Sequence, residues 1–454
     1  MKKMHLAANP MSLVILAGMI LTLPLCGCDR ISAPDSTGAG LTATEETTVD
    51  DTVKELSADY EQTAVELTGT PTCNILWSSA YGGDAADSAR SIVSTADGGL
   101  ALAGYTKSSG AGSNDFLAIK LDAAGAVQWS KTFGSFDNEL AYSIAATDDG
   151  GVIMAGEKRI YSILDEFNLT PSYRYDFWVV KLDSEGNRTW SETYGGDDYD
   201  AAKSIISCAG GGYVMAGYTQ SYGAEYDPGP HAKKDLWVIK IDSEGNRVWE
   251  TLFGSENKSD CAESIRECAD GGYILCGFSG AAGDSGYDCL LVRLNGDGDV
   301  LWSRTTGGAR SDKAMDVIET ADGSFISVGE TMSFGAGNSD YYVLCHSSNG
   351  ALQWSKTFGG TSFERARSIA AAPDGSCIIA GYTSSSGAGS RDFWLVTINS
   401  SGEKITEQTL GGESCDEAFS ITATTDGNFA VAGNTSSYGL GELDCWVVKF
   451  GIAK

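Results

Sequence analysis

From Thr72 onward the chain repeats one unit about every 52 residues, and this constrains its fold more than any other feature. Trp77, Trp129, Trp190, Trp249, Trp302 and Trp354 share one phase, at intervals of 52, 61, 59, 53 and 52 residues. Thr406 takes the seventh place. A unit this short cannot bury its own apolar face, whereas stacked neighbours can. Periods of about 40–50 residues built from short strands describe a closed radial array.

Each unit carries four strand signals. In the first they cover 89–95, 100–106, 116–121 and 126–133, with the turn Asp97-Gly98-Gly99 after the first strand. β-Branched and aromatic residues bounded by Gly and Asp turns are the expected hairpin pattern. The turn recurs at Asp149, Gly210, Asp270, Asp322, Asp374 and Asp426. A glycine near the end of the second strand recurs at Gly104, Gly156, Gly217, Gly277, Gly329, Gly381 and Gly433. A glycine inside a strand marks close backbone approach or a bulge, so its expected role is packing. The third strand opens after Asp115, Asp176, Asp235, Asp288, Asp340, Asp392 and Asp444. Its last copy is followed by only four residues, while a lone fourth-strand segment, 73–81, precedes the first unit. The N-terminal strand is therefore expected to complete the last blade, which closes the ring and removes its open edge. The fold expected for residues 73–454 is an all-β, seven-bladed β-propeller of four-stranded blades.

The N-terminus has the form of an export signal. Lys2 and Lys3 precede an apolar run, 13–25, too short and wrongly flanked to span a bilayer. The run ends in Leu25-Cys26-Gly27-Cys28, which resembles the bacterial lipobox; within this signal-and-lipobox segment, 1–28, the resemblance implies a cut before Cys28, which is acylated and becomes the mature N-terminus. Cys26 stands where that motif usually has Ala or Ser, and Asp29 is of the kind associated with inner-membrane retention in Gram-negative cells. Residues 29–72 read as an acidic, Thr/Ser-rich disordered tether, with ten acids against Arg30 and Lys54. As a coil it would span about 35–40 Å. A short helix over 52–67 is the one element its pattern allows. The formal charge of −30 argues against a nucleic-acid partner, whose phosphates it would repel, and against adsorption to an anionic membrane face. The expected location is the cell envelope, held by the N-terminal lipid alone, with the propeller a monomer.

The unit, Asp-Gly-Gly, strand, Gly, loop, Asp, aromatic strand, Leu-Asp-x-x-Gly-x-x-x-Trp, resembles bacterial β-propeller repeat proteins over residues 73–454. Its final part, as in Leu121-Asp122 to Gly125 to Trp129 and Leu182-Asp183 to Gly186 to Trp190, is similar to the tryptophan-docking motif of quinoprotein-type propellers. That family includes dehydrogenases and an outer-membrane assembly lipoprotein and usually has eight blades, against seven here. Similar repeats are also labelled bulb-type lectin-like, but the mannose signature Gln-x-Asp-x-Asn-x-Val-x-Tyr is absent. Such resemblances speak to fold more than to activity.

Two features direct attention to the face formed by the loops from the fourth strand to the next blade's first strand (4→1) and from the second to the third (2→3). The first is a recurring acid, Asp87, Glu139, Asp200, Asp260, Asp312, Glu364 and Asp416, each followed two residues later by Ala. Its leading reading is structural, a carboxylate capping the amides of the preceding turn; the alternative is an electronegative funnel at the channel mouth. The second breaks the symmetry: Gly to Asp spans 11 residues in five blades but 20 in blade 2 and 18 in blade 3. These insertions carry Tyr161, Phe167, Tyr173, Arg174, Tyr175, Tyr222, Tyr226 and His231. Aromatics on polar loops suit either sugar stacking or a protein contact, so the expected partner is an envelope protein or a glycan.

Little points to catalysis. Only His5, His231 and His346 exist, and no Ser-His-Asp spacing, Gly-x-Ser-x-Gly motif or zinc-spaced cluster occurs. The acids offer many carboxylate pairs and nothing selects one for glycoside hydrolysis. Asn295-Gly296-Asp297-Gly298-Asp299, and more weakly 183–187 and 242–246, resemble part of a calcium loop, but the closing Glu is missing and each lies in a 3→4 hairpin that needs such turn residues. Ten cysteines lie outside the signal region at positions that do not repeat, so no disulfide pairing is assigned. The expectation is an exported, lipid-anchored, non-catalytic binding or scaffold module without cofactor or metal. A lectin, and a quinoprotein-like enzyme or assembly factor, are the alternatives.

Overall fold

A computed structural model describes residues 52–55, 61–66, 73–162, 172–223, 233–254, 258–281 and 286–452. The described residues form no helix, hence none long and apolar enough to cross a membrane. They form seven antiparallel sheets: six contain four consecutive strands of the expected unit, and the seventh joins the last three strands to Asn74–Gly82 from the N-terminal side. The innermost strands are Asp87–Ser94, Glu139–Ala146, Asp200–Ser207, Lys258–Glu267, Asp312–Glu319, Glu364–Ala371 and Asp416–Ala423, in blades 1 to 7. The ring closes as the sequence requires: Asn74–Gly82 pairs antiparallel with Asp444–Gly451, with Ala80 opposite Trp446. The result is a seven-bladed β-propeller.

Apolar side chains on both faces of each sheet explain how the blades stack. The core consists of seven clusters, each between two neighbouring blades; Phe177 and Trp237, for example, meet across the blade 2–3 junction with ring centroids 4.9 Å apart. Around the axis the innermost strands are stitched by a ring of hydroxyls. The amide of Ile144 donates to Ser91 Oγ (3.3 Å), Ile205 to Ser143 (3.1 Å), Ile265 to Ser204 (3.3 Å), Ile421 to Ser368 (3.3 Å) and Ile92 to Ser420 (3.2 Å). Asp316 replaces the serine in blade 5 and accepts the Ser264 and Ser368 hydroxyls at 2.7 and 2.9 Å.

The six in-phase tryptophans account for the outer rim. Each rests on the 3→4 turn of the next blade, over a positive-φ glycine: Trp77 over Gly125, Trp129 over Gly186, Trp302 over Gly350. The indole N–H donates to a turn carbonyl, as from Trp129 to Ser184 (3.0 Å) and Trp190 to Ser243 (3.1 Å). Thr406 now has a reason. Its neighbour is blade 7, whose third and fourth strands come from opposite ends of the chain, so there is no turn to dock on.

The recurring second-strand glycine is a packing residue. A Cβ on Gly104, Gly217 or Gly329 would collide with the carbonyl of the innermost strand, at Ser88, Ala201 and Lys313.

Part of the expected tether is structured. Thr52–Glu55 adds a fifth strand to blade 1, along Val127–Gly134, and Glu61–Ala64 adds one to blade 7, along Asn74–Gly82. These strands replace both the structureless coil and the short helix expected there. Backbone pairing at a free sheet edge needs no apolar periodicity, so the sequence pattern does not reveal it. Residues 1–51, including Cys28, lie outside the described residues.

Candidate functional site

The seven acids of the 4→1 loops are buried, none with solvent-exposed surface. Asp87 accepts the Gly83 amide (2.8 Å), the Ser108 hydroxyl (2.6 Å) and the Thr106 hydroxyl. Asp312 does the same with Gly308 (2.7 Å), Ser333 (2.7 Å) and Thr331, and Glu364 with Gly360 (2.8 Å) and Thr383 (3.0 Å). These carboxylates cap amides four residues back and tie the second strand to the loop. Buried this way, they offer no funnel surface.

The sequence reading did not bring these acids together with the aspartates that open the third strands. The structure sets the two side by side at each blade junction, across the first glycine of the 4→1 loop. A Cβ on Gly134 would overlap both Asp115 and Glu139, and one on Gly82 would meet Asp444 and Asp87. Burial, and then the charge of Asp87, push the Asp444 carboxyl up to about 6. Glu139, Asp235, Asp288 and Asp392 are raised likewise, by burial first and then by the facing acid.

The opposite face shows the reverse. Strand-3 cations reach the 1→2 turn aspartates: Lys120 to Asp97 (2.8 Å), Lys181 to Asp149 (2.7 Å) and Lys449 to Asp426 (2.8 Å). Against the desolvation that burial imposes, the hydrogen bonds of Lys120 and Lys181 hold Asp97 and Asp149 down to about 2. Blade 3 has Gly210 in place of the acid, and Lys240 donates to Tyr273 Oη instead (3.0 Å).

The blade 2 insertion lengthens a hairpin rather than forming an open loop. Val152–Ser162 and Ser172–Leu182 pair throughout, with Tyr161 opposite Tyr173 and Arg159 opposite Tyr175. Alternation places these four on one side. Arg159 lies 3.8 Å from the Tyr173 ring centroid and 3.7 Å from Asp137, and Tyr161 Oη donates to Asp137 (2.9 Å). Tyr175 stacks on Tyr199 of the adjacent 4→1 loop at 5.5 Å. Tyr161 and Tyr173 remain 53% and 46% exposed, and Phe136 beside Asp137 is 85% exposed. Arg174 points to the other side and pairs with Asp176 (3.2 Å). Tyr222 does not belong to this cluster. Its hydroxyl donates to Gly195 O (2.6 Å) and its ring packs on Trp237, as Tyr438 packs on Trp446 in blade 7. Phe167, Tyr226 and His231 lie outside the described residues.

The remaining candidates are structural. Asp183, Asp242 and Asn295 spend their side chains on amides of their own turns, for example Asp183 on Glu185 (3.0 Å) and Asn187 (2.8 Å). His346 is buried, which lowers its pKa. The ten cysteines among the described residues are free thiols; burial pushes Cys261 and Cys268 up to about 12, away from thiolate chemistry. Sequence reasoning missed Arg159, Tyr199 and Phe136 on the hairpin face. It also missed the channel wall, where Arg90, Lys203, Arg367 and Phe419 line a cavity of about 320 Å³.

Fold and site together define a seven-bladed propeller that presents an aromatic–arginine patch on one face. No family model matches the chain. The chain is 25% identical over 171 residues to the regulatory protein FlaEY of Caulobacter vibrioides, a match covering 36% of this chain and 18% of that protein. It thus spans less than a fifth of that relative's length. Among solved structures it is similar to Sqt1 from Chaetomium thermophilum, with TM-score 0.48 and 11% identity over 85% of this chain and all of that one. A protein of unknown function from Dyadobacter fermentans gives 0.46 and 10%, covering 88% and 99%. The Pan2 WD40 domain of Neurospora crassa gives 0.45 and 12%, covering 81% and 90%.

Proposed function

We propose that this protein is an exported, lipid-anchored propeller that acts as a non-catalytic binding module at the cell envelope. The blade 2 hairpin is its contact surface. The observation that carries the reading is the cluster of Arg159, Tyr161, Tyr173, Tyr175 and Tyr199 with Asp137, raised on the extended hairpin of blade 2. Stiff aromatic side chains held by an arginine supply contact area at low entropic cost, and such residues dominate protein contacts. The same half-exposed rings beside Arg159 and Asp137 also favour a second reading, a sugar stacked on Tyr161 or Tyr173.

The test compares wild type with Tyr161→Ala/Tyr173→Ala on a glycan array and in cross-linking to envelope extracts. Loss in the variant of a specific array signal supports the lectin reading; loss of a specific cross-linked partner supports the protein reading. Indistinguishable behaviour in both assays removes the patch as a binding surface. The anchor rests on the Cys26-Gly27-Cys28 segment. Mass spectrometry of membrane-extracted protein is expected to find a mature N-terminus at an acylated Cys28, and an unacylated start elsewhere refutes it.

A further inference from the structure

Seven side chains of unlike chemistry occupy one repeated place in the innermost strands. Each stands between an alanine and a serine, or Asp316 in blade 5: Arg90, Tyr142, Lys203, Glu263, Met315, Arg367 and Phe419. In every blade the pairing register between the first two strands shifts across this residue, as between Ala89 and Ser91 or Ala366 and Ser368. A bulge of this kind leaves its residue out of the ladder and re-aims the side chain. Here all seven are aimed into the axial channel and line the 320 Å³ cavity. The backbone repeats and the side chain does not, so the fold leaves this position free to serve something else.

Its charge runs against that of the molecule. The net charge of the chain is −30, yet the cavity lining holds five bases, Arg90, Lys203, Lys313, Arg365 and Arg367, against Glu263 and Glu330. Two bases are committed, Arg365 to Glu330 (2.6 Å) and Lys203 to Glu157 (4.0 Å). Arg90 and Arg367 instead flank Phe419, their guanidinium carbons 4.3 and 5.3 Å from its ring centroid. The buried Nε of each has no hydrogen-bond acceptor in the protein. Lys313 lies over Phe278 at 4.7 Å. Among the described residues no carboxylate is within ion-pair distance of Arg90, Arg367 or Lys313. Burial, and then the neighbouring charge of Arg365, bring Arg367 down to about 10, so it stays cationic at neutral pH and its repulsion is stored in the wall.

We propose that the channel is a binding site for a small polyanion, one that carries two or more carboxylate or phosphate groups, gripped by Arg90, Arg367 and Lys313. Guanidinium forks match such oxyanions in bidentate geometry, and the Phe419 and Phe278 rings beside these cations keep part of the solvent away and strengthen the attraction. The cavity, at about 320 Å³, lies near the lower end of the about 300–1,000 Å³ range of small-molecule sites, a size that suits a compact ligand. This site is separate from the blade 2 patch and stands or falls independently of it.

Isothermal titration at pH 7 and low ionic strength decides the question, with citrate as the carboxylate probe, inorganic pyrophosphate as the phosphate probe and glucose as an uncharged control. At least one anion is expected to bind with Kd below about 1 mM, and glucose not at all. Arg90→Gln/Arg367→Gln is expected to raise that Kd at least about tenfold, the loss of roughly 1.4 kcal/mol, while Tyr161→Ala/Tyr173→Ala leaves it unchanged. The better probe tells carboxylate from phosphate. If neither anion binds wild type, or the arginine variant binds as well as wild type, the proposal is wrong. Should that variant fail to fold, Lys313→Gln substitutes for it: a weakened affinity supports the site, and an unchanged one overturns it.

Discussion

A chain starting at Gly83 should lose its cooperative fold and aggregate, whereas one starting at Cys73 should remain a soluble monomer. The strand Asn74–Gly82 does more than fill an edge. It covers Trp446, Val448 and Phe450, all buried, and contributes the buried Tyr81, whose hydroxyl donates to Gly125 O at 2.6 Å in blade 1. Trp446 Nε1 also donates to Ser78 Oγ (2.9 Å). At about 1.5–3 kcal/mol per large apolar side chain, losing or uncovering these groups approaches the whole net stability of a domain, about 5–15 kcal/mol. The open edge of Asp444–Gly451 would then template intermolecular pairing. Among the described residues the Cys73 form loses the fifth strands, Thr52–Glu55 and Glu61–Ala64, which lie outside the four-stranded blades, and the packing of Val65 beside Asn74–Gly82. Size-exclusion chromatography and thermal unfolding distinguish the outcomes, and a soluble, equally stable Gly83 form would refute velcro closure.

The protein should also melt at a higher temperature at pH 5 than at pH 8, by several degrees, in contrast to a fold held by surface ion pairs. The junction acids have folded pKa values above their unfolded ones, Asp444 moving from 3.8 to about 6. The folded state binds their protons more tightly. Their contribution is therefore fully present below about pH 4 and is lost as pH rises through about 6. The 1→2 turn acids have the opposite sign. Asp97 and Asp149 sit near 2 and Asp426 is also depressed, so their stabilisation is present above about pH 4 and fades as pH falls toward 2. Together these place the maximum of the two contributions near pH 4, with a decline as pH rises from there through about 6. Melts in 0.5 M salt, which screens the general repulsion of a −30 chain, isolate the effect. Asp444→Asn should flatten the slope between pH 5 and 8 and gain stability at pH 8. A melting temperature that is level or rising from pH 5 to 8 would show that the paired carboxylates do not titrate as their burial implies.

The contrast between the two candidate sites shows where sequence patterns inform and where they stop. The lengthened segments of blades 2 and 3 stand out because five other blades supply the standard length. In blade 2 the structure turns that length into a paired hairpin bearing Tyr161 and Tyr173. Tyr199 and Asp137 escaped notice because they come from neighbouring 4→1 loops, close in space but not in phase, and Arg159, though within the lengthened segment, shows its alignment with the tyrosines only once the hairpin register is known. The tether strands escaped for another reason: backbone hydrogen bonds at a sheet edge accept almost any side chain.

The repeat, the number of blades and the way the ring closes are all legible in the linear chain. These depend on local turn chemistry and on strand counting, which a chain of seven near-copies displays seven times. The sequence also carried the capping acids, repeated at all seven junctions, and the docked tryptophans, repeated at six. Only the tertiary structure decided that Thr406 faces no turn, that the two series of acids meet, and which side chains line the channel. Strict alternation along the innermost strand cannot identify Arg90, Lys203 or Arg367 as channel residues, because a bulge at that point breaks the period of two. Their convergence is a property of the closed ring: seven positions 52 to 61 residues apart become one wall only when the last blade meets the first.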